Sequence, residues 1–192
     1  MSPLVTEDDV TAVAEQMRSF WIGRGERVAS LERTMADWVD AKYAVAFGSG
    51  TAALSMAVKL LERSVSPPKG CCRAVNEAIR FAGWEPTYND GDAKITIYPD
   101  RGGDIEDFAR FLPRKHEVTL QGSFGVFSFG ALKDVSGGLG GCLVSNEPLD
   151  GGVLAKVSPL SDINAAMILS QLSRYEGKDD RLVAGNLFWR LK

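Results

Sequence analysis

Tyr43-Ala44-Val45-Ala46-Phe47-Gly48-Ser49-Gly50-Thr51-Ala52-Ala53-Leu54 sets the reading of the whole 192-residue chain. Its first five residues are short, apolar and bounded by glycine, as a buried strand of a parallel sheet is. Gly48-Ser49-Gly50 turns the chain into a helix with apolar positions at Leu54, Val58 and Leu61. Backbone N–H groups at such a helix start, with the helix dipole behind them, can face an anion, and Thr51 adds a hydroxyl. Glycine there can equally serve only a tight strand-to-helix turn. Spacing alone leaves both open.

Upstream, Thr6-Glu7-Asp8-Asp9 has the form of an N-terminal capping box. Val10, Val13, Ala14, Met17, Phe20 and Trp21 then follow helical spacing, and Val28, Leu31, Met35 and Val39 define a second helix. Gly23-Arg24-Gly25 breaks the two apart. The aromatics Phe20, Trp21, Trp38 and Phe47 sit at spacings expected of core residues.

Downstream, Ser66-Pro67-Pro68-Lys69-Gly70 punctuates the chain, and a helix is predicted from about Cys72 to Ala82. Strands are predicted over 85–89, 95–98, 125–129 and 142–145, the last two separated by the glycine-rich bend 137–141. Helices follow over 162–175 and 179–191. Alternating strands and helices predict an α/β domain with a mostly parallel sheet.

A hydrophobic content of 45% and a charged content of 24% are those of an ordinary globular chain, so global disorder is not expected. The net charge of −3 lacks the basic stripe that nucleic-acid binding needs. With no long apolar run and no signal-peptide pattern in Met1–Thr6, neither a membrane span nor export is expected, and the reading is cytoplasmic. Three cysteines, two adjacent (Cys71, Cys72), make a poor disulfide framework and read as small hydrophobes. One histidine, His116, in a polar stretch, gives no metal-site signature.

Two side chains could carry covalent or proton-transfer chemistry. Lys133 follows the apolar Phe127-Ser128-Phe129 and precedes the glycine-rich bend, where a partly desolvated amine could lose its proton, although by itself it reads as a solvated loop lysine. Asp107, in Asp104-Ile105-Glu106-Asp107, could serve as a buried carboxylate, although the cluster by itself reads as an acidic helix start facing water.

In combination these segments resemble the DegT/DnrJ/StrS sugar-aminotransferase family. Residues 4–62 resemble its opening, through Val5-Thr6-Glu7-Asp8-Asp9-Val10, Trp21-Ile22-Gly23-Arg24-Gly25 and Ser49-Gly50-Thr51-Ala52-Ala53-Leu54. Residues 74–90 resemble the next helix and strand. Ile105-Glu106-Asp107, Gly122-Ser123-Phe124-Gly125, Phe127-Ser128-Phe129, Lys133 and Gly140-Gly141 keep the family's order and nearly its spacing. Ser161-Asp162-Ile163-Asn164-Ala165-Ala166, with Gln171-Leu172, resembles the helix that follows.

The resemblance implies the pyridoxal phosphate (PLP) fold of the aspartate aminotransferase type. That is a three-layer α/β/α arrangement, here a reduced large domain over 1–150 with a C-terminal helical remnant of the small domain over 151–192. It implies Lys133 as the Schiff-base and catalytic lysine and Asp107 as partner of the ring nitrogen. It also implies Gly50, Thr51 and Ser128 at the phosphate, and Arg110 beside the cofactor where the family has histidine or glutamine. The implied reaction moves an amino group from an amino acid to a keto (nucleotide-)sugar in a homodimer. A lysine at 133 favours this over the family's dehydratase branch.

The chain also departs from the pattern. Only residues 91–103 stand where the family inserts further strands and helices, Cys71 stands for an aromatic ring, and Val157 and Pro159 for an asparagine and an arginine. The resemblance stops short of most of the family's C-terminal domain. A non-catalytic homologue acting as a binding or assembly module is therefore the alternative expectation.

Overall fold

A computed structural model describes residues 5–88 and 91–177. The elements run α1 (Glu7–Arg18), α2 (Glu26–Trp38), β1 (Tyr43–Phe47), α3 (Gly50–Leu61), β2 (Val65–Ser66), α4 (Arg73–Phe81), β3 (Ala93–Ile97), β4 (Ile105–Asp107), β5 (Phe124–Ser128), β6 (Gly141–Ser145), α5 (Gly151–Leu154) and α6 (Asp162–Leu172). The helix expected over 179–191 lies outside the described residues.

The strands form one six-stranded sheet in the order β1-β6-β5-β4-β3-β2. The β2–β3, β3–β4 and β4–β5 pairs are parallel, whereas β6 runs antiparallel to both β1 and β5. The sheet is thus mostly parallel, as expected.

Alternation along the strands sends side chains to two cores. Val45, Phe47, Ile105, Phe124, Val126 and Leu143 join Leu54, Val58, Val75 and Ile79 of α3 and α4. Ala46, Phe127, Cys142 and Val144 join Leu31 and Met35 of α2 and Ala165 and Ile168 of α6. Helices therefore cover both faces, which gives the three layers.

Several expectations fail for identifiable reasons. No strand forms at 85–88: the Thr87 N–H and hydroxyl both donate to the Val65 carbonyl, and Pro86 has no donor to extend a ladder. Ile105–Asp107 is a central strand rather than a helix start facing water, and Glu106 and Asp107 are buried. Phe20 is 94% exposed and Trp21 is exposed too, while Trp38 and Phe47 are in the core. In α1 it is Asp9 and Gln16 that are buried, with Val10 and Met17 facing out. Polar contacts explain this inversion: Asp9 pairs with Arg174 beyond the end of α6, and the Gln16 amide donates to the Trp21 carbonyl. Cys72 is exposed and Cys71 half-buried, so only Cys142 is a buried cysteine.

Two ion pairs serve the sheet. Parallel neighbours normally need a crossover of a dozen or more residues. Between β3 and β4, however, there is only segment 98–104. Arg101 from that segment grips Glu106, with Nε at 2.6 Å from Oε1 and a second contact to Oε2 at 3.3 Å. The same carboxylate accepts the Gln121 and Gly122 N–H groups.

At the sheet's other end β1 is an edge strand. Its Ala46 N–H donates to Glu32 Oε1 (2.7 Å) and its Ala46 carbonyl accepts from Arg24 Nη1 (3.3 Å). Arg24 and Glu32 also pair with each other at 2.6 Å. An ion pair thus occupies an edge that could otherwise recruit another strand. Glu32→Ala is expected to lower unfolding free energy by about 1–3 kcal/mol, because the N–H of buried Ala46 loses its acceptor. Urea unfolding with light scattering tests this, and an unchanged midpoint would show that water replaces Glu32 without cost.

Candidate functional site

The α3 start is built by its neighbours as much as by its own sequence. Ser49 caps the helix, its Oγ accepting from the Ala52 N–H at 3.1 Å. The glycine-rich bend runs alongside, with a parallel bridge between Ser49 and Gly140. A Cβ on Gly50 would lie 2.6 Å from the Ser128 Cβ and 2.9 Å from its Oγ. Only glycine therefore lets the helix start reach the end of β5. The α3 start and the Ser128 hydroxyl thus lie side by side in a cradle, and amides at a helix start suit a phosphate.

Asp107 ends β4, two residues beyond Ile105 and so on the same α3/α4 face. Its Oδ1 accepts the Ala109 N–H at 2.8 Å. Burial pushes its carboxyl up to about 6, against the opposing pull of the Ala109 N–H and the charge of Lys133. A carboxylate held in so dry a place is costly unless a cation or donor meets it.

Lys133 sits in the loop between β5 and β6, and its Nζ donates to the Ala109 carbonyl at 2.6 Å. Ala109 therefore connects the two ionisable groups: its N–H serves Asp107 and its carbonyl serves Lys133. Sequence reading gave this residue no role, since a backbone contact leaves no signature in residue type. Behind Lys133 lies a recess of about 10 Å³, room for roughly one water. It is lined by Ser128, Arg110 and Asp134 among others. Arg110 is at its exposed rim, the guanidinium 5.0 Å from the Phe111 ring centre.

Cys71 packs at the margin of the α3/α4 core. Burial and neighbouring Cys72 push its thiol up, with a smaller contribution from Asp107. Its packing against that core puts Cys71 on the side of the sheet that Asp107 faces. His116 is exposed beside Asp37, and among the described residues no cluster of His, Cys, Asp and Glu could hold a metal ion. Nor is any described helix long and apolar enough to cross a membrane. Gly50, Ser128, Asp107 and Lys133 thus gather where α3 begins and β4 and β5 end, Thr51 follows Gly50, and Arg110 stands at the margin.

Comparison with known proteins agrees with this architecture. The chain is 31% identical over 96 residues to the UDP-4-amino-4-deoxy-L-arabinose–oxoglutarate aminotransferase of Shewanella sediminis, covering 47% of this chain and 24% of that protein. It is 25% identical over 189 residues to the spore coat polysaccharide biosynthesis protein SpsC of Bacillus subtilis, covering 76% and 48%. The chain thus spans half or less of the length of these curated relatives. Among solved structures, PseC of Helicobacter pylori, an aminotransferase involved in pseudoaminic acid biosynthesis, superposes with a TM-score of 0.77 at 17% identity. That superposition covers 90% of this chain and 64% of PseC. A Brucella abortus DegT DnrJ EryC1 StrS aminotransferase gives 0.72 at 18% identity, covering 87% and 63%. These likenesses establish the fold as that of PLP-dependent sugar aminotransferases. The family model for DegT/DnrJ/EryC1/StrS aminotransferases matches residues 3–101, just over half of the chain, and the chain belongs to that family.

Proposed function

We propose that this chain is a PLP-dependent aminotransferase that moves an amino group from an amino acid to a keto (nucleotide-)sugar, with Lys133 as its catalytic lysine. The carrying observation is the Asp107–Ala109–Lys133 arrangement beside the Gly50–Ser128 cradle. The residues fit the cofactor: a buried carboxylate for the ring nitrogen, a lysine amine within reach of the same residue, and a cradle that a Cβ would fill. Gly50, Thr51 and Ser128 would hold the phosphate, and Arg110 would flank the ring at the exposed rim.

PLP, when bound, supplies an electron sink for charge developing at the amino-bearing carbon. The protein's own groups supply the rest. Asp107, desolvated, would favour a protonated ring nitrogen over it. The Ala109 carbonyl accepts from the Lys133 amine and holds it in place until a ligand draws it away. Once released, Lys133 is the group placed to take and return a proton at the substrate carbon as general base and acid.

The sugar substrate class rests on relatives named for amino transfer on UDP-linked and dTDP-linked sugars. A homodimer in the cytoplasm completes the reading, since Met17, Phe20, Trp21 and Ile22 expose an apolar stretch that a second subunit would cover. The division into 1–150 and a remnant over 151–192 is part of the same proposal.

Protein mixed with PLP is expected to absorb near the visible edge and to yield a borohydride-trapped adduct on Lys133. Lys133→Ala is expected to yield neither. Wild-type protein that gives no band and no adduct would sink the proposal. Cofactor capture without amino transfer from glutamate to a keto-sugar nucleotide would leave a binding module in place of an enzyme.

A further inference from the structure

The loop that carries Lys133 is not held by its own strands alone. Its base is closed by the Gly137 N–H donating to the Phe129 carbonyl at 2.9 Å. Its outgoing leg lies against α6. Gln171 Oε1 accepts the Ser136 N–H at 2.8 Å, and Gln171 Nε2 donates to the Ser136 carbonyl at 2.9 Å. Asn164 Nδ2 donates to the Gly137 carbonyl at 2.8 Å. Between these rungs, a Cβ on Gly137 would meet Ile168 Cγ1 at 2.7 Å, so glycine there allows the loop to touch the helix. Residues 164, 168 and 171 share one face of α6 by helical spacing.

We propose that Gln171, supported by Asn164 and Ile168 on the same face of α6, is the positioning residue that holds the Lys133 loop so that its amine meets Asp107 and the Gly50–Ser128 cradle. Gln171 is 3% exposed and spends both ends of its carboxamide on one residue of this loop, three positions after Lys133. A buried amide so used fixes both the height and the tilt of the loop. A substitute without polar atoms leaves a buried N–H and carbonyl unpaired, which the loop relieves by moving. The role rests on the reading of Lys133 as the lysine that captures PLP. It concerns the rate of capture, which depends on where the amine is held, and not the affinity of the phosphate cradle on the opposite side.

Gln171→Leu is the test, with three measurements on the full chain. Hydrogen exchange of residues 130–137 without cofactor is expected to quicken. The rate at which borohydride traps PLP on Lys133 is expected to fall about tenfold or more, as misplacement of a reacting group by around an ångström does. Equilibrium binding of pyridoxine 5′-phosphate, which has the ring and phosphate but no aldehyde for a lysine to attack, is expected to be unchanged. Gln171→Glu, which keeps an oxygen for the Ser136 N–H, is expected to recover part of the rate. Trapping at the wild-type rate in Gln171→Leu overturns the proposal, and so does a parallel loss of pyridoxine 5′-phosphate binding, which would mark general damage. Should that variant not fold, Asn164→Ala removes the neighbouring rung with the same expected pattern, and a wild-type trapping rate there overturns it. Wild-type protein that traps no PLP overturns the reading of the site instead, and the exchange measurement alone then judges whether Gln171 orders the loop.

Discussion

Glu106→Ala is expected to remove about 3–5 kcal/mol of unfolding free energy, the loss seen when one partner of a buried ion pair is deleted. Glu106 is fully buried, and its carboxylate answers Arg101 and the Gln121 and Gly122 amides. Burial alone would raise its carboxyl. Arg101 and those amides more than reverse that, holding it below the ordinary range. Its contribution is thus present at neutral pH and fades as acid protonates it. Since small domains total about 5–15 kcal/mol, the variant would be marginal. Urea midpoints decide the matter, and a loss below about 1 kcal/mol would mean that the Arg101 contact behaves as a surface pair.

Asp107→Asn is expected to act in the opposite direction on stability and to impair function. Its carboxyl is raised to about 6 from 3.8. The folded chain therefore holds a proton that the unfolded chain has lost between about pH 4 and 6. Stability falls as pH rises through that window and stays lower above it. Roughly two pKa units correspond to about 2–3 kcal/mol, at the lower end here because the asparagine amide must also find partners. Asp107→Asn should then be more stable than wild type by about 2 kcal/mol at pH 7 and nearly equal to it near pH 4. Its PLP capture should be weak, since a neutral amide cannot pair with a protonated ring nitrogen. Equal midpoints at pH 7 would show that the Asp107 charge carries no desolvation cost. A residue that destabilises its own fold marks a site kept for something other than folding.

Much of this was legible from the chain itself. Tyr43–Leu54 forms the strand, turn and helix that its pattern predicts, and α2 buries Val28, Leu31 and Met35, with Val39 buried at its C-cap, as their spacing requires. The Thr6–Asp9 capping box also forms, the Asp9 carboxylate accepting the Thr6 N–H at 2.9 Å. Failures cluster where a distant partner overrides a local pattern. α1 turns Asp9 inward because Arg174 waits 165 residues away. Glu106 and Asp107 look solvated until β3 and β5 close around them. Lys133 could be singled out, whereas Ala109, whose backbone holds it, and Gln171, which steadies its loop, act through contacts that residue type does not announce.

The place of β1 at the edge of the sheet, with β6 as its one neighbouring strand, also bears on how the protein is made. On the ribosome β1 emerges almost a hundred residues before the strand that pairs with it. Through that interval the first strand of the sheet has no neighbour, and such late, long-range closure is slow and exposes the nascent chain to wrong partners. Arg24 and Glu32 both precede β1, so the ion pair that guards its edge is synthesised ahead of the strand it protects. The order of translation thereby supplies the waiting strand with a guard before its partner exists.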